Sequence, residues 1–481
     1  MSSHDHELHL AFFPFMAHGH MIPTIDLAKL FASRGHKATL ITTPNNADFF
    51  AKSIYKSQQL GHQISLISVK FPSAEVGLPE GFESLSLGSS PDLYQKFLKA
   101  IPLLEKPLDE LLQKHRPHVL VADTLFSWAT DLAAKYGIPR LIFHGTCNFC
   151  VCASLCLSMY KPYKKVSSDS EDFVLPNLPN EIKFSRNQIP SFIMQEGETE
   201  VSKVFRASVE SIYRSYGTVF NSFYELEGAY TDYYRNVLGR KCWNIGPVSL
   251  TNMDPEEKAY RGEASTVDHG CLKWLDTKKP NSVVYVCFGS KQKFTNEQLK
   301  EIALGLQASG QQFIWVVKKD KKDEGNGTWL PEGFEKRNEG KGLVVRGWAP
   351  QLLILSHEAV GGFVTHCGWN SILEAVSAGV PMVTWPMVAD QFFNQKLVTQ
   401  VLMIGIEVGI QWVGDSAKKD AIKMAVTQIT AGEEAEELRN RARALAETAK
   451  RAFAEGGSSF NDLNSLLEEL ASLTNDKSLF P

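Results

Sequence analysis

Short apolar runs alternate with helical stretches along the chain, and this alternation restricts the fold more than any other feature. The first half opens with the apolar run HLAFFPF, continues through a loop at residues 16–20 and a helical pattern over residues 22–33, and returns to the apolar run HKATLITT. A strand, a helix and a second strand in this order form a βαβ unit, whose strands pair in parallel. The sequence therefore predicts an α/β protein built on parallel sheets.

The same alternation recurs in both halves of the 481-residue chain. Further apolar runs are HVLVADTLF, PRLIFHG and TVFNSFYELE in the first half, and SVVYVCFGS, QFIWVVK, GLVVRGW, GGFVTH and PMVTWP in the second. A chain of this length is too long for one ordinary domain and long enough for two, each with its own core. We therefore expect two doubly wound, Rossmann-like parallel-sheet domains that face each other across a cleft.

A charged, turn-rich stretch, TNMDPEEKAYRGEAST, interrupts the alternation and is interpreted as an interdomain linker. We expect a first domain over residues 1–245, the linker over 246–275, a second domain over 276–455 and a C-terminal helix over 456–481. No G-x-G-x-x-G follows the first apolar run, which argues against an oxidoreductase that binds a dinucleotide.

Charge and local composition exclude several kinds of partner. The chain carries 50 basic and 54 acidic residues, a net charge of -4, so no global field favours nucleic acid or an anionic membrane. The N-terminal segment MSSHDHELHLAFF has neither the basic nor the apolar region of a secretory signal, which indicates a cytoplasmic protein. The apolar segment at residues 141–159 contains His144 and Asn148 and lacks flanking stop signals, so it predicts a buried strand and helix and no membrane span.

The most informative segment is WAPQLLILSHEAVGGFVTHCGWNSILEAVSAGVPMVTWPMVADQ, which begins at Trp348 and ends at Gln391. Trp348 offers a flat ring for a base. Asn370 and Ser371 stand at a predicted helix start, whose amides and dipole suit phosphates. Asp390 and Gln391 supply a carboxylate and an amide for sugar hydroxyls. Together these groups suit a nucleotide sugar.

Each of these residues also has an ordinary structural explanation. Taken alone, Trp348 fits a buried packing residue and His366 fits a hydrogen-bonded core histidine. Ser371 and Glu374 fit a capping box, in which Glu374 serves only its own helix start. The ADQ tripeptide at the end of the segment fits a polar turn. The joint occurrence of these groups, with a strand before and a helix after, favours the ligand site.

Four of the eight cysteines crowd into the segment CNFCVCASLC, for which a metal site, a redox pair and buried thiols are the alternatives. The spacing is irregular and no second ligand cluster accompanies it, so buried thiols are favoured. No acidic D-x-D pair suited to a divalent ion stands near the segment of residues 348–391. We therefore expect no metal.

The segment of residues 348–391 closely resembles the signature sequence of plant secondary-product glycosyltransferases, which use a uridine-diphosphate sugar. The resemblance extends over essentially the whole chain, through PFMAHGHMIPTIDLAKLFASRGH, VLVADTLFSWATDLAAKYGIPRLIFHGT, NSFYELE, YVCFGS and RGWAPQLLILSH. It implies a GT-B fold of glycosyltransferase family 1, with an acceptor-binding first domain, a UDP-sugar-binding second domain and a last helix packed on the first domain. The first-domain segments look most like the members that glucosylate flavonoids, coumarins and triterpenoids.

The resemblance implies a role for each residue of the donor site. Trp348 would stack on uracil, with Ala349 and Gln351 near the base and ribose, and Glu374 would accept both ribose hydroxyls. Residues that would hold the two phosphates are His366, Asn370, Ser371 and Ser290. Residues that would contact the sugar are Trp369, Asp390 and Gln391. A Gln at the end of the segment is typical of members that use glucose, so UDP-glucose is the expected donor.

The candidate catalytic base is His20. The triplet Gly19-His20-Met21 matches the pattern of the family's loop, whereas His18, the alternative, lies two positions earlier. An imidazole, with an ordinary pKa of about 6.5, is available as a neutral base for a phenolic hydroxyl at cytosolic pH. Asp123, at the end of another predicted strand, is the candidate partner for the far ring nitrogen. We expect a monomer that inverts the sugar linkage without a cofactor or metal and transfers glucose to a small hydroxylated acceptor.

Two other functions compete with glucosyl transfer. A sugar-nucleotide epimerase of the same architecture would act on the donor alone, and a small-molecule receptor would keep the donor pocket without turnover. The acceptor pocket is expected in the first domain, where apolar candidates are Phe15, Phe126, Phe149 and Met194, each of which also fits a core position.

Overall fold

The structure is a computed structural model of the chain, and it describes residues 7–87, 90–195, 199–252, 255–261, 270–289, 294–317 and 329–475. The chain divides into two compact units. The first unit comprises residues 1–158, 191–253 and 451–481, and the second comprises 159–190 and 254–450. This division assigns residues 159–190 to the second unit, whereas we expected them in the first.

The first unit is built on a parallel sheet. Its described strands follow the spatial order β3-β2-β1-β4-β5-β8-β9. They are β1 (His9–Phe13), β2 (Lys37–Thr42), β3 (Ile64–Ser68), β4 (Val119–Asp123), β5 (Arg140–His144), β8 (Gly217–Phe220) and β9 (Cys242–Asn244). The helices are α1 (His18–Ser33), α2 (Pro44–Gln59), α3 (Pro91–Ala100), α4 (Glu105–His115), α5 (Ala129–Lys135), α6 (Asn148–Tyr160), α7 (Ser191–Met194), α8 (Glu200–Arg214), α9 (Tyr224–Asp232) and α19 (Ser458–Asn475).

The second unit is built on another parallel sheet, whose described strands follow the order β12-β11-β10-β13-β14-β15. They are β10 (Val283–Cys287), β11 (Gln312–Val317), β12 (Gly342–Arg346), β13 (Val360–Thr365), β14 (Met382–Thr384) and β15 (Gly405–Glu407), beside an antiparallel pair, β6 (Phe173–Val174) and β7 (Lys183–Phe184). The helices are α10 (Pro255–Tyr260), α11 (Gly270–Asp276), α12 (Asn296–Ser309), α13 (Phe334–Arg337), α14 (Gln351–Leu355), α15 (Trp369–Ala378), α16 (Gln391–Lys396), α17 (Lys419–Ala431) and α18 (Ala435–Phe453). The expected pair of parallel-sheet α/β domains is confirmed.

Helix α1 begins earlier than the sequence predicted. We expected a loop at residues 16–20, yet the helix starts at His18 and contains Pro23. The extended residue Ala17 forms the helix start, and its carbonyl oxygen accepts from the backbone N–H groups of His20 and Met21, each at 2.9 Å. Pro23 has no N–H group, so it cannot donate the intrahelical hydrogen bond that another residue would donate at this position. The early start places His20 in the first turn of α1.

The last helix completes the core of the first unit. Leu463, Leu466 and Leu470 of α19 are at most 1% exposed, and they pack in one apolar cluster with residues such as Trp243 of β9. Asp462 accepts from the Asn244 backbone N–H at 2.8 Å, which ties the first turns of α19 to the same strand. Burial of three leucines contributes roughly 5–9 kcal/mol of apolar transfer free energy. In the described part of the chain, no helix is both long enough and apolar enough to cross a membrane.

Candidate active site

A histidine and an aspartate meet at the carboxyl edge of the first sheet. Strands β1 and β4 are parallel neighbours, so His20, just after β1, and Asp123, the last residue of β4, lie at the same edge. The Nδ1 atom of His20 lies 2.7 Å from Oδ2 of Asp123. The aspartate side chain is 2% exposed and that of His20 is 26% exposed, so the imidazole reaches solvent while its partner does not. The expected contact between these two residues is present.

The Asp123 carboxylate is held in one orientation. Its Oδ1 atom accepts from the Leu125 backbone N–H at 3.0 Å, while its backbone carbonyl accepts from the Arg140 guanidinium at 2.7 Å. A second guanidinium nitrogen of Arg140 donates to the Thr130 hydroxyl at 2.5 Å. Burial lowers the pKa of Arg140 to about 10, so the side chain stays charged at neutral pH and offsets the buried carboxylate. Asp123 therefore presents one fixed oxygen to the imidazole.

The His20 ring is fitted closely between its neighbours. A Cβ atom built on Gly145, which follows β5, would lie 2.8 Å from Cε1 of His20, so only glycine leaves room for the ring there. Phe15 contacts the ring edge-on, with centroids 5.3 Å apart. Sequence reasoning missed Gly145, although it stands in the segment PRLIFHG whose strand end it follows. Its neighbour His144 is buried, and burial lowers the pKa of that imidazole to about 4.

His18 makes different contacts from His20. Its ring stacks on Phe49 with centroids 4.7 Å apart, and its backbone N–H donates to the Ser86 hydroxyl at 3.3 Å. It is His20 that pairs with the carboxylate of Asp123. The geometry thus separates the two candidate histidines in the way expected from the Gly-His pattern.

Most of the expected acceptor-pocket residues are core residues. Phe15, Phe126 and Phe149 are at most 2% exposed. Phe126 stacks on Phe13, and Phe149 packs edge-on against Tyr230. The structural explanation, which the sequence left open, is therefore the correct one for these three. Met194 on α7 is partly exposed and differs from them.

The second unit brings the residues expected around the ribose into contact. Nε2 of Gln351, the first residue of α14, donates to the Ser371 hydroxyl at 3.1 Å and to Oε2 of Glu374 at 2.7 Å. Trp348 lies just before α14 and is partly buried, while Ala349 is 6% exposed. One amide thus joins α14 to α15, on which both Ser371 and Glu374 stand.

The capping-box explanation for Ser371 and Glu374 is wrong. Helix α15 starts at Trp369, its N-cap is Gly368, and no side chain caps that position. Ser371 therefore occupies the third helical position, where its side chain cannot serve as the N-cap. Glu374 pairs with Gln351 and with the guanidinium of Arg261, whose side chain is 8% exposed. Its carboxylate thus makes contacts with α14 and with Arg261 instead of capping its own helix.

His366 stands between two glycines just before α15. A Cβ atom on Gly289 would lie 2.7 Å from its Nε2, and a Cβ on Gly368 would lie 2.5 Å from the same atom. Burial lowers the pKa of His366 to about 4, so the ring is neutral at neutral pH. Its buried Nδ1 has no hydrogen-bond partner among the described residues, which does not fit the hydrogen-bonded core histidine. Ser290, expected beside the phosphates, lies outside the described residues.

The segment of residues 348–391, called the donor segment below, ends in a turn that side-chain hydrogen bonds hold in place. Asp390 is the N-cap of α16, and Oε1 of Gln391 accepts from the backbone N–H groups of Met387 and Val388 at 2.8 and 3.0 Å. Nδ2 of Asn394 donates to Oδ2 of Asp390 and to the Cys367 carbonyl, each at 2.9 Å. This bridge links the turn to the residues that precede α15. Trp369, also expected at the sugar, is only 2% exposed.

The cysteines and acidic residues show no metal centre in the described part of the chain, where no group of three or more His, Cys, Asp or Glu side chains could hold an ion. All eight cysteines are described, no disulfide joins them, and seven are buried. Burial raises the pKa of Cys156 and brings that of Cys242 to about 12. These two thiols are therefore protonated at neutral pH, and the four cysteines of CNFCVCASLC are buried, as expected.

The chain matches known proteins over nearly its whole length. Residues 80–434 match the family model described as UDP-glucoronosyl and UDP-glucosyl transferase. The chain is 56% identical to UDP-glucose flavonoid 3-O-glucosyltransferase 7 of Fragaria ananassa, with 97% of each protein covered. It is 53% identical to scopoletin glucosyltransferase of Nicotiana tabacum, over 97% of this chain and 98% of that protein.

A solved structure agrees with these matches. UGT73P12 of Glycyrrhiza uralensis, complexed with glycyrrhetinic acid 3-O-monoglucuronide, is similar at a TM-score of 0.92 and 40% identity, over 98% of this chain and 97% of that one. The expected GT-B fold and the resemblance to plant glycosyltransferases are confirmed. The chain is a glycosyltransferase, and it belongs to the UDP-glucoronosyl and UDP-glucosyl transferase family.

Proposed function

We propose that the protein transfers glucose from UDP-α-glucose to a hydroxyl group of a small apolar secondary metabolite and forms a β-glucoside. The observation that carries this proposal is the 2.7 Å contact between His20 Nδ1 and Asp123 Oδ2, in a chain of a UDP-sugar-dependent family. One relative is named for UDP-glucose and a flavonoid, and another for scopoletin, a coumarin. These names support glucose as the sugar and a phenol as one class of acceptor.

The proposed base is Nε2 of His20. Because a carboxylate only accepts hydrogen bonds, the ring proton is on Nδ1, which donates it in a hydrogen bond to Asp123. Nε2 therefore keeps its lone pair. Nε2 takes the proton of the acceptor hydroxyl as that oxygen bonds to C1 of glucose, and the bond from C1 to the β-phosphate oxygen breaks. Asp123 stabilises the imidazolium that forms. Attack opposite the leaving UDP turns the α-linked donor into a β-linked product.

In the proposed donor complex, Trp348 stacks on uracil, Ala349 and Gln351 lie beside the base and ribose, and Glu374 accepts the ribose hydroxyls. The link from Gln351 to Ser371 and Glu374 supports this assignment, since it joins three of the residues proposed for the ribose and phosphates. The residues proposed for the phosphates are Ser290, His366, Asn370 and Ser371. Those proposed for glucose are Trp369, Asp390 and Gln391.

We propose that charge on the departing UDP is stabilised without a metal ion. The first turn of α15 directs backbone N–H groups and the positive end of the helix dipole to an anion, which contributes roughly 0.3–2 kcal/mol. His366, neutral because burial holds its pKa at about 4, adds a hydrogen bond and no charge. Enzymes lower barriers by about 8 kcal/mol or more. Positioning of both substrates and several preorganised donors must therefore supply most of the effect.

The test is incubation of the purified protein with UDP-glucose and a mixed panel of flavonoids, coumarins and triterpenoids. The proposal predicts that an acceptor gains the mass of one hexose, that UDP is released in equal amount, and that the anomeric proton of the product has the β configuration. The reaction should proceed unchanged with a chelator present. An altered nucleotide sugar without a glucoside would indicate the epimerase, and UDP-glucose binding without any product would indicate the receptor.

A further inference from the structure

Arg261, in the stretch interpreted as a linker, makes an unexpected contact with the donor segment. Its guanidinium pairs with Oε1 of Glu374, the carboxylate proposed for the ribose. The two side chains are only 8% and 6% exposed. Arg261 directly follows α10, and α10 packs on α14, whose first residue Gln351 holds the other carboxylate oxygen at 2.7 Å. Glu374 is therefore fixed from two sides by elements far apart in sequence.

We infer that Arg261 is a positioning residue of the donor site, which holds the Glu374 carboxylate in place for the ribose hydroxyls of a uridine nucleotide. This inference rests on the proposed donor site. Each carboxylate oxygen has two acceptor positions. Arg261 uses one position on Oε1 and Gln351 uses one on Oε2, which leaves a second position on each oxygen. Two acceptors side by side match the two hydroxyls of a vicinal diol.

The charge of Arg261 matters as much as its geometry. A uridine diphosphate brings negative charge close to Glu374, and like charges in a partly dry site repel strongly. The imidazole of His366, also proposed for the phosphates, carries no compensating charge, because burial lowers its pKa to about 4. A guanidinium stays protonated in proteins, and it forms well-directed pairs with carboxylates. Arg261 thus balances the carboxylate against the incoming phosphates, so its loss harms UDP binding more than uridine binding.

The experiment is isothermal titration of UDP and uridine into the full-length wild type, Arg261→Ala and Arg261→Lys. In Arg261→Ala, the Kd of UDP should rise about tenfold, equal to roughly 1.4 kcal/mol, and that of uridine by about threefold. Arg261→Lys should recover most of the loss for UDP, since it restores the charge, and less of the loss for uridine, since it lacks the planar fork. The KM for UDP-glucose should rise with the Kd of UDP, while kcat and the KM for the acceptor stay within about twofold.

A double-mutant cycle separates positioning from a merely structural role. In a Glu374→Gln background, which already lacks the charge that Arg261 balances, Arg261→Ala should change the Kd of UDP by less than about twofold. The matched control is Arg441→Ala, which removes a guanidinium that pairs with Glu437 on α18 of the same unit. That control should leave both affinities unchanged. Thermal midpoints show whether each variant is folded. If Arg261→Ala does not fold, the affinities of Arg261→Lys for UDP and uridine are compared with those of the wild type instead.

Three results would overturn the inference. If Arg261→Ala binds UDP with wild-type affinity, the pair of Arg261 and Glu374 does not position the carboxylate for UDP. If Arg261→Ala binds UDP more tightly, the guanidinium competes with the ribose for Glu374. An equal loss in the wild-type and Glu374→Gln backgrounds would show that Arg261 acts elsewhere. If the wild type itself does not bind UDP, the proposed function fails. If the wild type binds UDP and the Arg261 substitutions leave its Kd unchanged, only the inference about Arg261 fails.

Discussion

Replacement of Asp123 by Asn is expected to slow transfer more than replacement by Ala. Oδ1 of Asp123 accepts from the Leu125 backbone N–H at 3.0 Å, while Oδ2 faces Nδ1 of His20 at 2.7 Å. In Asp123→Asn, the amide oxygen keeps the bond to the Leu125 N–H, because an amide nitrogen there would meet a second donor. The amide nitrogen then donates to Nδ1, which moves the ring proton to Nε2 and removes the proposed base.

The magnitudes follow from these roles. General base catalysis contributes about 10²–10⁴-fold, so kcat of Asp123→Asn should fall by about 10³-fold. Asp123→Ala loses a charge-assisted hydrogen bond of roughly 1.5–3 kcal/mol but keeps access to the productive tautomer, so its kcat should fall by about 10- to 150-fold. Both variants should keep the KM for UDP-glucose within about twofold, because the donor residues are untouched.

The assay is the initial rate of UDP release at saturating UDP-glucose with a series of phenols of increasing acidity. Acidic phenols depend less on a base, so the deficit of Asp123→Asn should shrink along the series. The matched control is Asp131→Asn, since Asp131 is an exposed aspartate that pairs with Arg214. Circular dichroism and thermal midpoints show that the variants are folded. An Asp123→Asn variant faster than Asp123→Ala, or a deficit independent of acceptor acidity, would show that Asp123 does not set the tautomer of His20.

Three further experiments test the fit of the His20 ring, the buried histidines and the packing of α19. Gly145→Ala places a Cβ atom 2.8 Å from Cε1 of His20, so kcat should fall by about tenfold or more with an unchanged Kd for UDP, as measured by kinetics and titration. The free energy of unfolding should fall as pH drops from 6.5 toward 4, because burial lowers the pKa of His144 and His366 to about 4 and the unfolded chain binds protons first. Each histidine contributes at most about 1.4 kcal/mol per pH unit in that window, and urea unfolding at pH 7 and pH 5 that gives equal stability would contradict this. Leu466→Ala, at a fully buried position of α19, should cost about 2–5 kcal/mol in urea unfolding, and a loss below about 1 kcal/mol would show that α19 is not part of the core.

The sequence predicted the sheets and the contact between His20 and Asp123 because both follow from local patterns and simple topology. Apolar runs define strands, parallel order brings strand ends to one edge, and the two residues meet there although they are 103 positions apart. The start of α1 was predicted too late, because Gly19 and Pro23 oppose a helix locally while the extended Ala17 permits one.

Other features depend on contacts that no local pattern contains. Residues Ser371 and Glu374 fit a capping box by spacing, yet Glu374 pairs with Gln351 and with Arg261, which is 113 positions away. The charged stretch that contains Arg261 has the composition of a surface linker, so nothing in it indicates a buried ion pair. Phe126, expected at the acceptor pocket or in the core, is a core residue because it stacks on Phe13.

Single-turnover transfer by His20→Ala and His18→Ala tests whether His20 removes the proton from the acceptor. With enzyme in excess over UDP-glucose and a saturating phenol, His20→Ala should form glucoside at least about 10²-fold more slowly than wild type. Its Kd for UDP should stay within about twofold. His18→Ala should transfer glucose at nearly the wild-type rate, because its ring stacks on Phe49, whereas it is His20 that pairs with Asp123. Rapid transfer by His20→Ala, or a greater loss in His18→Ala, would show that His20 is not the base.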